Sequence, residues 1–236
     1  MRVDLQPAYI LHARPYRDTS LLLDLLTPVY GRITAVARGV RQSKGHKRQL
    51  LNPFHRLLVN WQGKSELKLI TGVETDHHYL QLQGNALYSG FYLNELLVRL
   101  LPEQDVITGL FERYEWTLDA LHRGEPLEPL LREFEFMLLQ GLGYALDFLH
   151  DCHSQQPIQS GYFYLCDIHQ GFYSVPADSD PRFWIAGAHL LAIAAGDYSA
   201  ADTRRVAKQL ARLLFKPLLG KRPLKSRELF TPGSPH

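Results

Sequence analysis

Up to residue 80 the apolar side chains come in short runs separated by turn-forming residues. Residues 8–13, 20–26, 32–37, 54–61 and 67–74 are each six to eight long, partly β-branched or aromatic, and bounded by Pro, Gly, Asp or Asn. This is the patterning of strands. Pro28 and Gly31 supply a tight turn between the second and third runs, and 62–65, with Gly63, closes the last hairpin. The connection from the third run to the fourth is the long one. Five strands are the complement of a small barrel. An OB-fold has that size, long loops and a nucleic-acid-binding face, while an SH3-like barrel or a plain meander fits the strands equally well.

After Gln81 the period changes to three and four. Leu87, Phe91, Asn94, Leu97, Val98 and Leu101 share one helical side, with Asn85 as the expected N-cap and Pro102 as the stop. A second helix is predicted over 106–121 and a third over 129–142, the third apolar on most of its circumference, as buried helices are. Residues 162–165 and 171–175 read as a short β-hairpin. Helix returns over 185–195 and, with Asp202 as N-cap, over 202–219. The expected organisation is α+β and multidomain: a five-stranded barrel over residues 1–80, then a mainly α-helical domain over 81–236 with a hairpin-bearing insertion at 143–181.

Charge sharpens this division. Lys and Arg exceed Asp and Glu by 6 over residues 1–80, fall short by 11 over 81–200, and exceed them again by 7 over 201–236. The near-neutral total of +2 therefore hides two basic ends around an acidic middle, and the ends are candidates for one polyanion. No Asp or Glu lies between Asp24 and Glu66, where Arg32, Arg38, Arg41, Lys44, Lys47 and Arg48 fall on and after the third strand. On the last helix Arg205, Lys208, Arg212 and Lys216 share a face opposite Val206, Leu210, Leu213 and Leu214, and Lys221, Arg222, Lys225 and Arg227 follow it. A charge run can equally be a solvated surface that keeps the protein soluble. Here the first run is flanked by strands, which makes it a loop held on a rigid sheet. Tyr30, Phe54 and Trp61 could stack bases if exposed, although Phe54 and Trp61 are expected in the barrel core.

Several classes of function are set aside by what the chain lacks. There is no apolar run of about 18 residues, the first residues do not form a secretory signal, and two Cys beside 11 His fit a reducing compartment. The expected location is the cytoplasm. No phosphate-cradling Gly-rich motif, nucleophile elbow or zinc-protease motif occurs, and the acidic pairs of the middle lie at ordinary helix-surface spacings, so no enzyme is expected. Cys152, His153, Cys166 and His169 are the one metal candidate. A zinc site wants two ligand pairs with short gaps, and Gln155 stands where the partner of Cys152 belongs, so zinc is not favoured and no cofactor is expected.

Five phrases carry more than physics. Ala8-Tyr-Ile-Leu-His-Ala-Arg-Pro-Tyr-Arg-Asp-Thr-Ser-Leu-Leu22, Gly31-Arg-Ile-Thr-Ala-Val-Ala-Arg-Gly39, Tyr88-Ser-Gly-Phe-Tyr-Leu-Asn-Glu-Leu-Leu97, Arg132-Glu-Phe-Glu135 with Leu142-Gly-Tyr144, and Lys216-Pro-Leu-Leu-Gly-Lys-Arg-Pro-Leu-Lys-Ser-Arg-Glu-Leu-Phe230 resemble, in order, the bacterial recombination mediator family RecO. The resemblance implies an N-terminal OB-fold, a helical C-terminal domain with a zinc-ribbon-like insertion, and no turnover. It implies binding of single- and double-stranded DNA and annealing of complementary strands. With RecR it implies loading of RecA onto DNA coated by single-strand binding protein, during repair at the nucleoid. Some members carry a four-cysteine zinc site, from which Gln155 and His169 depart. The family also takes the acidic, Phe-ending tail of single-strand binding protein in a helical-domain groove, a role that the motif position carries to Arg132 beside Phe134 and Leu138. The rival from composition is an OB-fold RNA-binding or translation-related factor, which should prefer structured RNA. A metal-dependent nuclease would need an acidic cluster that the sequence lacks.

Overall fold

The computed structural model describes residues 2–41, 50–63, 66–76, 80–176 and 180–230. The five expected strands are β1 (Arg2–Tyr16), β2 (Ser20–Thr27), β3 (Gly31–Ala37), β4 (Arg56–Gln62) and β5 (Leu67–Thr75). They close into a barrel in the order β1-β2-β3-β5-β4. β1 runs to 15 residues because it serves two neighbours: its first part pairs with β4 and its second with β2. The first part escapes a pattern reading because Asp4, Gln6 and Pro7 interrupt its apolar alternation and the register shifts between Val3 and Gln6. β3 pairs parallel with β5, so the chain passes over an antiparallel β4 before closing. Alternate residues fill the interior, among them Ile10, Leu23, Leu25, Ile33, Leu57, Val59 and Trp61, the period-two signature of a half-buried strand.

Among the described residues three later strands and five α-helices follow. The helices are α1 (Gly84–Leu100), α2 (Leu110–His122), α3 (Leu127–Gly141), α4 (Gly187–Ala194) and α5 (Ala201–Leu219); β6 (Phe163–Asp167), β7 (Gly171–Ser174) and β8 (Ile185–Ala186) form a three-stranded sheet in the order β7-β6-β8. Four local expectations are corrected. Asn85 lies inside the first turn of α1, whose N-cap is Gln83. α2 begins at Leu110 and not 106, because Gly109 has a left-handed backbone that a helix interior does not accept. Ile185 starts a strand, pairing with Tyr164. Asp202 is not the cap of α5 but sits in its first turn, where its carboxylate meets Arg205 at 2.9 Å and complements the helix dipole.

The chain forms two compact units. One runs to Leu127 and takes in the chain from Arg222 onward; the other is Glu128–Lys221. In the first, α1 seals the barrel. Asn94 on α1 donates to the backbone oxygen of Leu11 at 3.0 Å and accepts from the Tyr114 hydroxyl of α2, so a buried amide has partners on both sides. Gly90 lets α1 approach Phe54, since a Cβ there would lie 2.7 Å from its ring, which would have to shift. In the second unit, Ile158, Tyr164, Phe172, Leu190, Ile193, Tyr198, Ala207 and Leu210 form the core. α3 buries Leu130, Phe134, Leu138 and Leu139, as its apolar circumference predicts. No helix among the described residues is long and apolar enough to cross a membrane.

Candidate nucleic-acid interface

The cations predicted from sequence separate into used and available ones. Arg32 is used: its Nη1 lies 3.0 Å from Asp24 and its Nε donates to the backbone oxygen of Leu101 at 2.9 Å, with the side chain 14% exposed. It rivets β3 to the segment after α1, so its guanidinium is engaged within the protein. Lys44, Lys47 and Arg48 lie outside the described residues. Arg38 and Arg41 are exposed, and Val40 between them is buried against the barrel core, which fixes where the loop begins. Arg41 donates through Nη1 to the backbone oxygens of Arg17 and Asp18 at 3.1 and 3.2 Å, and its own N–H bonds Thr19 at 3.0 Å. The β1–β2 turn and the start of the long loop are thereby tied together, bringing Arg17, Arg38 and Arg41 to one end of the barrel. Arg17, its guanidinium 5.3 Å from the centre of the Tyr16 ring, was missed by sequence reasoning because Asp18 beside it neutralises the count. Phe54 and Trp61 are buried, and Tyr30 packs edge-on against Trp61.

The C-terminal run belongs to the same unit as the barrel. Its 3-10 turn, Lys225–Phe230, is clamped to α1. Glu95 accepts the N–H of Lys225 at 3.0 Å, the N–H of Ser226 at 2.8 Å and the Ser226 hydroxyl at 2.6 Å, while Arg99 donates to the backbone oxygens of Arg222 and Pro223 at 2.8 and 3.1 Å. Burial alone would raise the Glu95 carboxyl; the Ser226 hydroxyl, the two N–H groups and Arg99 override it and hold the group below its ordinary value. Because the clamp grips backbone and the small Ser226, the side chains of Arg222 and Lys225 remain exposed. Arg227 is half-buried, 5.9 Å from the Tyr92 ring centre. Glu95 and Arg99 carry no cation to a ligand, yet they place several. Their one sequence signal is the (i, i+4) spacing of opposite charges.

On α5 the exposed face holds Arg205, Lys208, Arg212 and Lys216, as expected, together with Leu213, which is exposed and not part of the buried side. Arg205 pairs with Asp202, and Lys208 lies 3.8 Å from Glu128. Arg212 and Lys216 have no ion-pair partner among the described residues. In the same unit Arg132 is 6% exposed and pairs with the buried Glu135 at 2.6 Å, leaving its Nε–H without a hydrogen-bond partner. Phe134 and Leu138 are fully buried, which makes them core and not a surface for a ring to dock on. Tyr198 stands close enough that Glu133, Arg132 and Glu135 act on its hydroxyl, which burial pushes up to about 12.

The turns around the two cysteines do not fit zinc. Burial pushes the Cys166 thiol up to about 12 and raises Cys152 as well. Gln155 turns its amide to the Cys152 backbone oxygen at 3.0 Å, and the His153 ring lies against Tyr173. Among the described residues no group of three or more His, Cys, Asp or Glu is placed to hold a metal. Carboxylates hold these turns instead. Asp151 accepts the N–H groups of His153 and Ser154, both at 2.9 Å, and the N–H and hydroxyl of Ser174 at 2.7 and 2.6 Å. Asp167 accepts the N–H groups of His169 and Gln170. Burial acts to raise Asp151, but the Ser174 hydroxyl and the three N–H groups hold it well below the usual carboxylate range.

Comparison with known proteins places this geometry. The family described as "Recombination protein O N terminal" matches residues 1–79, and "Recombination protein O C terminal" matches 81–228. The chain is 44% identical over 231 residues to a "DNA repair protein RecO" of Haemophilus influenzae, covering 98% of this chain and 97% of that protein. It is 45% identical to one of Pseudoalteromonas translucida, covering 98% of each, and 42% identical to one of Marinobacter nauticus, covering 99% and 96%.

Proposed function

This chain belongs to the recombination protein O family of DNA repair proteins, and we propose that it acts as a recombination mediator without turnover. In this reading the N-terminal barrel is an OB-fold, whose β1–β2 and β4–β5 loops and β2–β3 face are the usual nucleic-acid side. Its main support is the meeting of Arg17, Arg38 and Arg41 at one end of the barrel through the hydrogen bonds of Arg41. Phosphates would be neutralised there, along the clamped run with Arg222 and Lys225, and on the α5 face with Arg205, Lys208, Arg212 and Lys216, with Lys221 and Arg227 adding charge. Such binding is independent of sequence and weakens steeply with salt.

Annealing of complementary strands then needs no catalytic group. Cations screen the repulsion between two strands and base pairing supplies the free energy. Partnership with RecR and loading of RecA onto DNA coated by single-strand binding protein complete the reading. The acidic tail of that protein would meet Arg132 once that side chain turns from Glu135 toward the incoming carboxylate. The test is annealing of complementary oligonucleotides coated beforehand with single-strand binding protein. Acceleration over the protein-free control is expected, and its absence would sink the mediator reading. A preference for structured RNA over DNA would favour the translation-related alternative, and product shortening with magnesium would point to a nuclease.

A further inference from the structure

The three-stranded sheet of the second unit is apolar on both faces. Tyr164, Phe172, Cys166 and Ile185 turn toward the core, so by strand parity Phe163 and Leu165 on β6, Tyr173 and Val175 on and after β7, and Trp184 and Ala186 beside and on β8 turn away from it. Val175 continues the ladder, its N–H bonding the Phe163 oxygen at 3.2 Å. The Phe163 ring lies 5.5 Å from that of Trp184. Phe163 is 48% exposed, and the adjoining Tyr162 and Phe183 are 62% and 67% exposed. None of the outward six carries a charge, whereas an antiparallel sheet with one solvated face ordinarily gives it polar residues. Phe163, Tyr162 and Phe183 are the exposed part of this surface, with Leu165, Tyr173, Val175 and Trp184 half-buried beside them, and an exposed aromatic cluster of this kind marks a docking site.

The surrounding charge selects the occupant. Residues 143–200 contain a single Lys or Arg, Arg182, whose guanidinium is committed to both carboxylate oxygens of Asp180. Asp167, next outward on β6, accepts the N–H groups of His169 and Gln170 and has no ion-pair partner among the described residues. Phosphates would be repelled here despite the aromatic rings. A second copy of this face would bring a second Asp167 and no Lys or Arg beyond the committed Arg182, so nothing on it complements the first. We propose that this face docks a protein partner that presents a cationic strand or loop with aliphatic side chains between its Lys or Arg residues. The surface lies apart in sequence from the basic runs assigned to DNA, so the two readings stand or fall separately.

The test uses the full chain and three probes: a decapeptide alternating Lys with Leu and Val and carrying a photo-crosslinker, the same peptide with Glu for Lys, and a single-stranded oligonucleotide. The Lys peptide is expected to crosslink within residues 162–186. Its affinity should fall at least fivefold in Phe163→Ser, survive in Phe163→Leu, and weaken with salt, while oligonucleotide binding is unchanged. Phe183→Ser repeats the test if Phe163→Ser lowers thermal stability. Absent or equal binding of the two peptides would overturn the proposal, as would crosslinks elsewhere. Self-association that Phe163→Ser abolishes would overturn it in favour of a second copy, and oligonucleotide protection of the same segment would do so in favour of DNA.

Discussion

Removal of the Glu95 carboxylate should release the C-terminal run from α1 without unfolding either. In Glu95→Ala the N–H and hydroxyl of Ser226 lose their acceptor, and Ser226 is 6% exposed. Hydrogen bonds to a charged group contribute about 1.5–3 kcal/mol each. Glu95 retains 21% of its side-chain exposure, and water can replace the acceptor for Lys225, so the sum is discounted to about 2–3 kcal/mol for the clamp. This corresponds to roughly 30- to 150-fold faster exchange of the Ser226 amide through local opening. Hydrogen exchange read at residues 222–230 measures it, with β2 and β3 as an internal standard that should not move. A change below about threefold at Ser226, where about tenfold corresponds to 1.4 kcal/mol, would refute the clamp. The same variant should bind single-stranded DNA more weakly at fixed salt while keeping the slope of log affinity against log salt, because every cation is still present and only its placement is lost.

The sign of the pH dependence follows from the direction of the Glu95 shift. A carboxyl whose value is lowered by folding contributes stability above its unfolded value, 4.5 for an ordinary Glu, and loses it as pH falls through the folded value. Protection at Ser226 should therefore be flat near neutrality and decline below about pH 4.5 in the native chain. In Glu95→Ala that decline should be absent.

Arg17, Arg38 and Arg41 changed together to Gln should reduce the single-strand salt slope by about 2, at about 0.7 for each phosphate no longer neutralised; an unchanged slope in a binding titration would remove the barrel end from the interface. Arg132→Ala should lower stability by about 3–5 kcal/mol in denaturant unfolding, since it leaves the buried Glu135 without this partner, whereas Arg132→Met with Glu135→Leu should recover most of it. That double variant, folded but lacking the cation, should still fail to bind a peptide of the acidic Phe-ending tail; retained binding would exclude Arg132 as the contact. Asp151→Asn should cost about 1–3 kcal/mol by presenting an amide to the donors of Ser174, read as a lowered unfolding midpoint, and a chelator should leave the midpoint of the native chain where it is.

The barrel strands were legible because each is a short apolar run, partly β-branched or aromatic, bounded by turn residues, and four of the five begin and end within two residues of the sequence reading. β1 was the exception, since its long first part is set by pairing with β4 and not by apolar alternation. The helix starts at Asn85 and Asp202 misled for a related reason. A side chain able to cap does not do so when the helix begins ahead of it, and here Gln83 and Ala200 are the caps, each two residues before the expected one. Asp151 and Asp167 could not be read as organisers of the cysteine turns, because an Asp two residues before an N–H is common and only the fold brings Ser174 to the same carboxylate as His153 and Ser154.

Positive charge shows the limit of sequence most directly, because a guanidinium can meet a phosphate only where the fold has not already claimed it. Arg32, Arg132 and Arg205 look alike in a count, yet their partners differ in burial. Arg32 holds Asp24, which is 3% exposed, and Arg132 holds Glu135, which is 1% exposed; breaking either leaves a buried carboxylate, at a cost of several kcal/mol. Arg205 pairs with Asp202 where both side chains are more than half exposed, an interaction of about 0–1 kcal/mol that an arriving phosphate can replace. Lys208 with Glu128 is of the same exposed kind. The cations proposed above for a phosphate surface share this property of being exposed and either unpaired or paired only at the surface: Arg17, Arg38 and Arg41 on the barrel, Arg222 and Lys225 on the clamped run, and the α5 face. What selects them is the burial of each partner carboxylate, which no linear charge pattern contains.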